Sequence, residues 1–181
     1  AERRIPFAVY LASKFPERQM PTWWYALEGM ILAKDEISFR HDGTDHTFPC
    51  LSAADMEATF SKLHHLVMLA EDRETYDRLL ELIFIDWDGE ICSCKQALPM
   101  SWEQVTELSQ DDLVEIGAHT MSHAPLTCQS EFDSRNEILQ SKLDLEARIG
   151  SPVIHFAYPY GMHGSREREI VEAGFQTAVT T

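Results

Sequence analysis

The hydrophobic and polar positions of the chain follow different patterns in its two halves. Residues 7–12 form a continuous apolar run, which predicts a strand buried on both faces. Residues 35–95 then carry a hairpin signal at Asp42-Gly43 and two helices with polar starting residues. We interpret residues 35–95 as an insertion into a more regular fold.

From residue 101 onwards, helices and strands alternate regularly. The pattern predicts helices at residues 101–108, 138–149 and 165–173, strands at 113–118, 153–158 and 175–181, and a loop at 119–130. Short connections between alternating elements predict an α/β fold with parallel strands. In such folds the functional site lies beyond the carboxyl ends of the strands. His119 and Tyr160 follow two of these ends, so we expect both at one rim of the sheet.

Composition limits the partners of the chain. Its 181 residues suit one domain, and its net charge of −15 comes from 30 acidic and 15 basic residues. Because phosphate backbones are bound by clustered Lys and Arg, we expect no nucleic acid. No window approaches the roughly 18 apolar residues of a membrane helix, so no membrane span is predicted.

The four cysteines are predicted to be free thiols. Cys50, Cys92, Cys94 and Cys128 include no C-x-x-C pair of the kind found in zinc ribbons and thioredoxin-like sites. Free thiols favour a reducing, cytoplasmic compartment over a periplasmic one. The sequence leaves the compartment itself open.

His119 and His123 are the candidate metal ligands. Two imidazoles four residues apart, where a strand gives way to a loop, can close on one divalent ion. The alternative is an i, i+4 pair on the solvated face of a helix, which the preceding strand and Gly117 argue against. Thr120 is a candidate for orienting a ligand. Its alternative role is to satisfy the loop backbone.

Tyr160 is the candidate catalytic residue, as a backbone oxyanion donor. Residues 156–161 end a strand in a Pro-Tyr-Gly turn, where the backbone N–H of Tyr160 could donate to a developing oxyanion. The alternative is an aromatic strand end closed by a turn. Trp24 and His163 are weaker candidates for substrate contacts. Aromatic faces suit pyranose rings, although core packing is the alternative for Trp24, and His163 lies in a loop near the rim.

Together these motifs resemble the NodB-homology polysaccharide deacetylases, carbohydrate esterase family four. Residues 117–123 resemble that family's H-[ST]-x-x-H metal motif, and residues 156–161 resemble its strand-end motif, written R-x-P-Y. Further similar stretches are residues 5–11, 23–24, 101–108 and 173–181. The resemblance implies a distorted (β/α) barrel that hydrolyses acetyl groups from an acetylated polysaccharide or oligosaccharide.

The resemblance also implies a metal mechanism. In the family, one Asp and two His hold a metal, a second Asp acts as general base, and a later His protonates the leaving amine. Carried over to this chain, His119 and His123 would bind one divalent ion, either Zn²⁺, Co²⁺ or another. The amide of Tyr160 would help to stabilise the oxyanion.

The chain departs from the family pattern in three places. The first motif, Thr-Phe-Asp-Asp-Gly, is expected before Ile5 and is absent, which removes the third ligand and the base. The Arg of the strand-end motif is Ala157, and residues 1–181 lack the strand expected to bring the acid His. We therefore expect the central portion of a deacetylase domain, cut at both ends and inactive alone. Its incomplete barrel would expose two sheet edges, which favours a homo-oligomer.

Three functions remain open at this point. The first is a metal-dependent hydrolase that removes acetyl groups through an amide bond or an O-acetyl ester. The second is a non-catalytic, carbohydrate-binding remnant of the same fold. The third is an unrelated α/β domain with an accidental H-x-x-x-H.

Overall fold

A computed structural model describes residues 4–18, 22–87 and 99–180. The chain divides into two compact units, one made of residues 1–20 and 98–181 and the other of residues 21–97. In chain order the elements are β1 (Phe7–Leu11), α1 (Trp23–Ala33), β2 (Glu36–His41), β3 (Thr44–Pro49), α2 (Ala53–Met68), α3 (Arg73–Ile83), α4 (Trp102–Leu108), β4 (Val114–Ala118), α5 (Glu131–Ile149), β5 (His155–Ala157), α6 (Ser165–Gly174) and β6 (Thr177–Val179).

The first unit contains a parallel four-stranded sheet in the order β1-β4-β5-β6. Ile116, Ala118 and Phe156 point from the sheet into a core that α5 and α6 complete with Ile138 and Ile170. This is the α/β fold with parallel pairing that the alternating pattern predicted. The described strands form an open sheet with β1 and β6 at its edges.

The prediction that β1 is buried on both faces is wrong. Phe7 is 52% exposed, and burial increases along the strand until Leu11 enters the core. The reason is position, because β1 lies at an edge of the described sheet, where Leu11 is its fully buried residue and Val9 packs partly buried against the same core. An apolar run indicates a hydrophobic strand, but it does not distinguish a central strand of a sheet from an edge strand.

Helix α5 begins earlier than predicted. Its first residue is Glu131, inside the segment that we expected to be a loop, and Ser130 caps it by accepting a hydrogen bond from the amide of Asp133. The first turn is polar or exposed, so the apolar periodicity starts only later in the helix. Gly150 ends the helix with a φ of 72°, as predicted.

The described part of the second unit, residues 22–87, contains a hairpin and three helices. Asp42 and Gly43 both have positive φ, as the type I′ turn between β2 and β3 requires. Ser52 and Asp55 form the capping box that starts α2. The most deeply buried side chains of this unit include Trp23, Leu27, Leu63 and Leu79. The interpretation of residues 35–95 as an insertion stays a prediction.

Two sequence expectations concern membranes and thiols. No helix in residues 4–18, 22–87 and 99–180 has the length and apolar character needed to cross a membrane. Cys50 is a buried free thiol, as predicted. Cys128 is buried as well, and its Sγ lies 3.1 Å from the carbonyl oxygen of Pro125. Cys92 and Cys94 lie outside the described residues.

Candidate metal centre

The loop that follows β4 brings the two candidate ligands together. The ring centroids of His119 and His123 lie 4.6 Å apart, with an angle of 66° between the ring planes. The backbone N–H of His119 donates to the carbonyl of Leu11 at 3.1 Å, which ties this residue to the end of β1. Both imidazoles thus lie beyond the carboxyl ends of parallel strands.

The orientation of His119 is set by the backbone of β5. Its Nδ1 lies 2.8 Å from the carbonyl oxygen of Ala157. Because a carbonyl oxygen only accepts, Nδ1 carries the proton and the lone pair is on Nε2. Metal-binding histidines commonly donate their other ring N–H in this way.

Both imidazoles are held in the neutral form. Burial lowers the pKa of His119, against the opposing effect of its hydrogen bond to Ala157. Burial, with a further contribution from the neighbouring His119, lowers the pKa of His123 to about 4. Since metals bind neutral imidazole, the pair is ready to bind without releasing protons at neutral pH.

Thr120 lies between the two histidines in sequence and is fully buried. Its hydroxyl oxygen accepts a hydrogen bond from the backbone N–H of His123 at 3.0 Å. Thr120 therefore supports the backbone of one candidate ligand. Its role in orienting a ligand stays a prediction.

Tyr160 adjoins the imidazole pair from the turn after β5. Its ring centroid lies 4.6 Å from that of His123, at an angle of 68°. The neighbouring amides of Gly161 and Met162 donate within the turn, to the carbonyls of Tyr158 and Pro159. The assignment of the Tyr160 amide as an oxyanion donor stays a prediction.

Sequence reasoning missed Glu137, which holds the loop from behind. Its carboxylate accepts hydrogen bonds from the backbone amides of Met121 and Ser122, both at 2.9 Å, and from the Ser122 hydroxyl at 2.7 Å. Glu137 belongs to α5, and the predicted helix began only at residue 138, so the direction of the Glu137 side chain could not be predicted. No local motif in the sequence marks this contact.

A second missed residue fixes the far end of the same loop. The guanidinium of Arg166 donates to the carbonyls of Leu126 and Gln129, at 3.3 and 2.9 Å. It also pairs at 2.6 Å with the buried carboxylate of Glu167. Residues 119–130 are therefore held by side chains of both α5 and α6.

The two weaker substrate candidates, His163 and Trp24, belong to different units. His163 packs on the ring of Tyr158, with centroids 4.4 Å apart, and lines a groove of about 300 Å³ beside α6 and β6. The lining of that groove does not include the imidazole pair. Trp24 belongs to α1 of the second unit. Their roles as substrate contacts stay predictions.

The donors present suit two positions of a divalent metal site. The imidazoles of His119 and His123 are neighbours and neutral, and the tautomer of His119 is fixed by its hydrogen bond to Ala157. Within the part of the chain that the structure describes, no group of three His, Cys, Asp or Glu side chains is arranged to hold a metal ion. The described residues thus offer two nitrogen ligands.

The structure has a parallel α/β sheet with a histidine pair beyond its strand ends. The resemblance to polysaccharide deacetylases predicted this arrangement. A family model described as polysaccharide deacetylase matches residues 30–178. The chain belongs to the polysaccharide deacetylase family, and the resemblance seen in the sequence is confirmed.

Several solved structures are similar to the chain. The polysaccharide deacetylase BC0361 from Bacillus cereus is 28% identical over 46% of this chain and 26% of its own, with a TM-score of 0.43. The deacetylase PplD from Streptococcus pyogenes, in complex with acetate, is 25% identical over 48% of this chain and 38% of its own, with a TM-score of 0.45. IcaB from Ammonifex degensii is 26% identical over 45% of this chain and 40% of its own, with a TM-score of 0.41.

The chain therefore spans less than half of the length of each of these structures. No curated protein matches the chain.

Proposed function

We propose that the protein is a metal-dependent hydrolase that removes acetyl groups from an acetylated polysaccharide or oligosaccharide. One observation carries the proposal: two half-buried, neutral imidazoles adjoin each other at the end of β4 in a member of the polysaccharide deacetylase family. The ion would be Zn²⁺, Co²⁺ or another divalent metal that accepts imidazole. We also propose that the open sheet is part of a distorted (β/α) barrel.

In the proposed site each residue has a distinct task. His119 and His123 would hold the ion, with the Nε2 of His119 as the ligand atom. A divalent ion bound there would acidify a water and polarise the acetyl carbonyl. Thr120 keeps the backbone of His123 in place through the hydroxyl contact. The amide of Tyr160 would donate to the carbonyl oxygen as that oxygen gains negative charge.

The reaction balances as a simple hydrolysis. The oxygen of a water molecule bonds to the acetyl carbon, and the bond from that carbon to the sugar nitrogen or oxygen breaks. The leaving amine or hydroxyl takes a proton, and acetate is released.

A second candidate function is a non-catalytic, carbohydrate-binding member of the same family. One observation favours it, namely that the described residues include no group of three metal-ligating side chains. Such a protein would keep the loop and the fold and would release no acetate.

Metal content tests the proposed site. We expect the purified protein to contain about one equivalent of divalent metal and the His119→Ala, His123→Ala double variant to contain none, because these two imidazoles are the candidate ligands that the described residues bring together. His65→Ala is the matched control, since His65 is an exposed histidine on α2. It should retain the metal.

Two outcomes would contradict the proposal in different ways. Equal metal content in all three proteins would show that the histidine pair is not the binding site. Because we expect residues 1–181 to be inactive alone, acetate release is assayed on a form of the protein extended to include an Asp-Asp-Gly motif. Metal lost as expected, together with no release of acetate from acetylated amino-sugar oligosaccharides by that form, would favour the non-catalytic function.

A further inference from the structure

The second unit has a groove whose lining includes none of the candidate metal-site residues. It lies between α1 and α2, has a volume of about 460 Å³ and is lined by residues of these two helices. Its volume falls in the range of about 300–1,000 Å³ that is usual for small-molecule and cofactor sites. The groove is therefore large enough for a ligand, and its lining indicates which kind.

Aromatic rings form much of the apolar surface of this groove. Trp24, Tyr25 and Phe60 all line it, and Tyr25 is 38% exposed. The rings of Trp24 and Tyr25 are tilted by 45° with centroids 5.9 Å apart, so they present differently angled faces. Aromatic side chains offer flat, apolar faces with little conformational entropy to lose. Such faces suit the apolar C–H surface of a pyranose ring.

Two carboxylates accompany the aromatic rings. Glu28 lies one helical turn after Trp24 on α1, and Glu57 lies on α2 three residues before Phe60. Both are exposed, and neither forms a hydrogen bond or ion pair with another residue in the described ranges. Carboxylates and aromatic faces both attract a cation, the first by charge and the second by the ring quadrupole.

We propose that this groove, the α1–α2 groove, binds amino-sugar units of a deacetylated polysaccharide. The proposal rests on the proposed function, because hydrolysis of an N-acetyl amide leaves an amine that can take up a proton. The aromatic rings would pack against the sugar ring, and Glu28 and Glu57 would attract the ammonium group. An acetylated sugar presents the same ring without the charge, so the groove distinguishes product from substrate.

The charge arrangement favours this ligand over a docked apolar helix. A helix of a partner protein would also cover exposed apolar side chains such as Leu32, which is 67% exposed. It would leave the two carboxylates unpaired unless it carried cationic side chains at matching positions. An amino-sugar unit satisfies both the rings and the carboxylates.

The test compares two oligosaccharides by isothermal titration calorimetry on the full chain. We expect a glucosamine hexamer to bind at least about tenfold more tightly than an N-acetylglucosamine hexamer, as the loss of cation–π and charge contacts would produce. Tyr25→Ala and the Glu28→Gln, Glu57→Gln double variant should each weaken binding of the glucosamine hexamer severalfold. The double variant changes only exposed side chains, so it should keep the fold.

The chain carries a net charge of −15, so a matched control must remove the same charge elsewhere. The Glu71→Gln, Glu81→Gln double variant does this at two exposed positions of the same unit. Its affinity should stay within twofold of the original. Equal weakening in both double variants would overturn the proposal in favour of general electrostatic attraction. Equal affinity for the two hexamers, or binding of neither, would also overturn it.

The failure of this proposal can be separated from failure of the proposed function. Absence of metal binding through the histidine pair, with selective amino-sugar binding intact, would reject the hydrolase alone. Metal binding through the histidine pair without selective amino-sugar binding would reject the α1–α2 groove alone.

Discussion

Thr120, His123 and Tyr160 hold left-handed backbone conformations that only glycine adopts easily. Their φ angles are 66°, 57° and 57°. A non-glycine residue in a disfavoured region costs on the order of 1–3 kcal/mol, and a β-branched threonine is a clear outlier. Three such residues around one pair of imidazoles indicate that the surrounding contacts impose the shape of the loop. The shape of the candidate site is therefore set by contacts within the protein.

Glu137 supplies much of that constraint, so its replacement should release the loop. We expect Glu137→Gln to lower the free energy of unfolding by about 1–3 kcal/mol, because an amide offers one accepting atom where the carboxylate accepts three bonds through two oxygens. Denaturant unfolding followed by circular dichroism measures the change. The affinity for Zn²⁺ should fall as well, since both histidines belong to this loop.

Glu169→Gln is the matched control for that experiment. Glu169 is exposed on α6, and its replacement should leave stability unchanged within about 0.5 kcal/mol. If Glu137→Gln were as harmless as the control, the carboxylate would not be what imposes the left-handed backbone.

At the scale of elements, β1 and β4 approach each other closely at one position. Tyr10 and Gly117 are partners in the register of the two strands. A Cβ atom at residue 117 would lie 2.5 Å from the ring of Tyr10 and 3.2 Å from the carbonyl oxygen of His155. Gly117 thus allows the ring to lie across the strand that leads into the candidate site.

Gly117→Ala should therefore destabilise the protein by about 1–3 kcal/mol, because the ring and the strand must move apart. Adding Tyr10→Ala to the Gly117→Ala variant should recover part of the lost stability, and a double-mutant cycle on thermal unfolding measures that coupling.

Gly29→Ala is the control. A Cβ there would meet its nearest neighbour, Trp87, at an ordinary 3.7 Å, so this helical change should be neutral or stabilising. Additive effects in the cycle would show that the Tyr10 ring does not cause the cost.

How far the sequence predicts the structure depends on how local each feature is. The capping boxes at Ser52 and Ser101 and the turn at Asp42-Gly43 were predictable because a few adjacent residues determine them. The exposure of β1 was not, since it depends on which strand lies beside it. The start of α5 was missed because its first turn lacks the apolar spacing that marks the rest of the helix.

The candidate site divides in the same way. His119, His123 and Tyr160 each follow a strand end, and parallel pairing places neighbouring strand ends side by side, so their proximity could be anticipated. Glu137 and Arg166 act on the loop from 15 to 40 residues away along the chain. Their side-chain directions depend on how α5 and α6 pack, which no short motif encodes.

At the scale of the molecule, the two edge strands of the described sheet carry exposed apolar side chains. Phe7 on β1 is 52% exposed, and Val179 on β6 is 44% exposed. Unpaired strand edges with apolar side chains favour pairing with another chain. This exposure is consistent with the homo-oligomer that we expect from the sequence.

Sedimentation velocity tests that expectation. We predict that the protein sediments as an oligomer at micromolar concentration and that a Phe7→Lys, Val179→Lys double variant shifts towards the monomer, because charges on edge strands oppose pairing. Leu143→Lys is the control, as Leu143 is an exposed leucine on α5, away from the sheet edges. A single monomeric species for the original protein would contradict the prediction.

The hydrogen bond from His119 to the carbonyl of Ala157 has a consequence for how this site can change in evolution. A side-chain acceptor can be deleted by one base change, whereas a backbone acceptor is present whatever residue occupies the position. The tautomer of His119 therefore depends on the backbone position of β5 and not on which amino acid occupies position 157. The family motif has Arg at this position, and the Ala of this chain leaves the acceptor intact. Substitutions at residue 157 can therefore change the side chain near the His119 imidazole, while the lone pair on its Nε2 keeps the same direction.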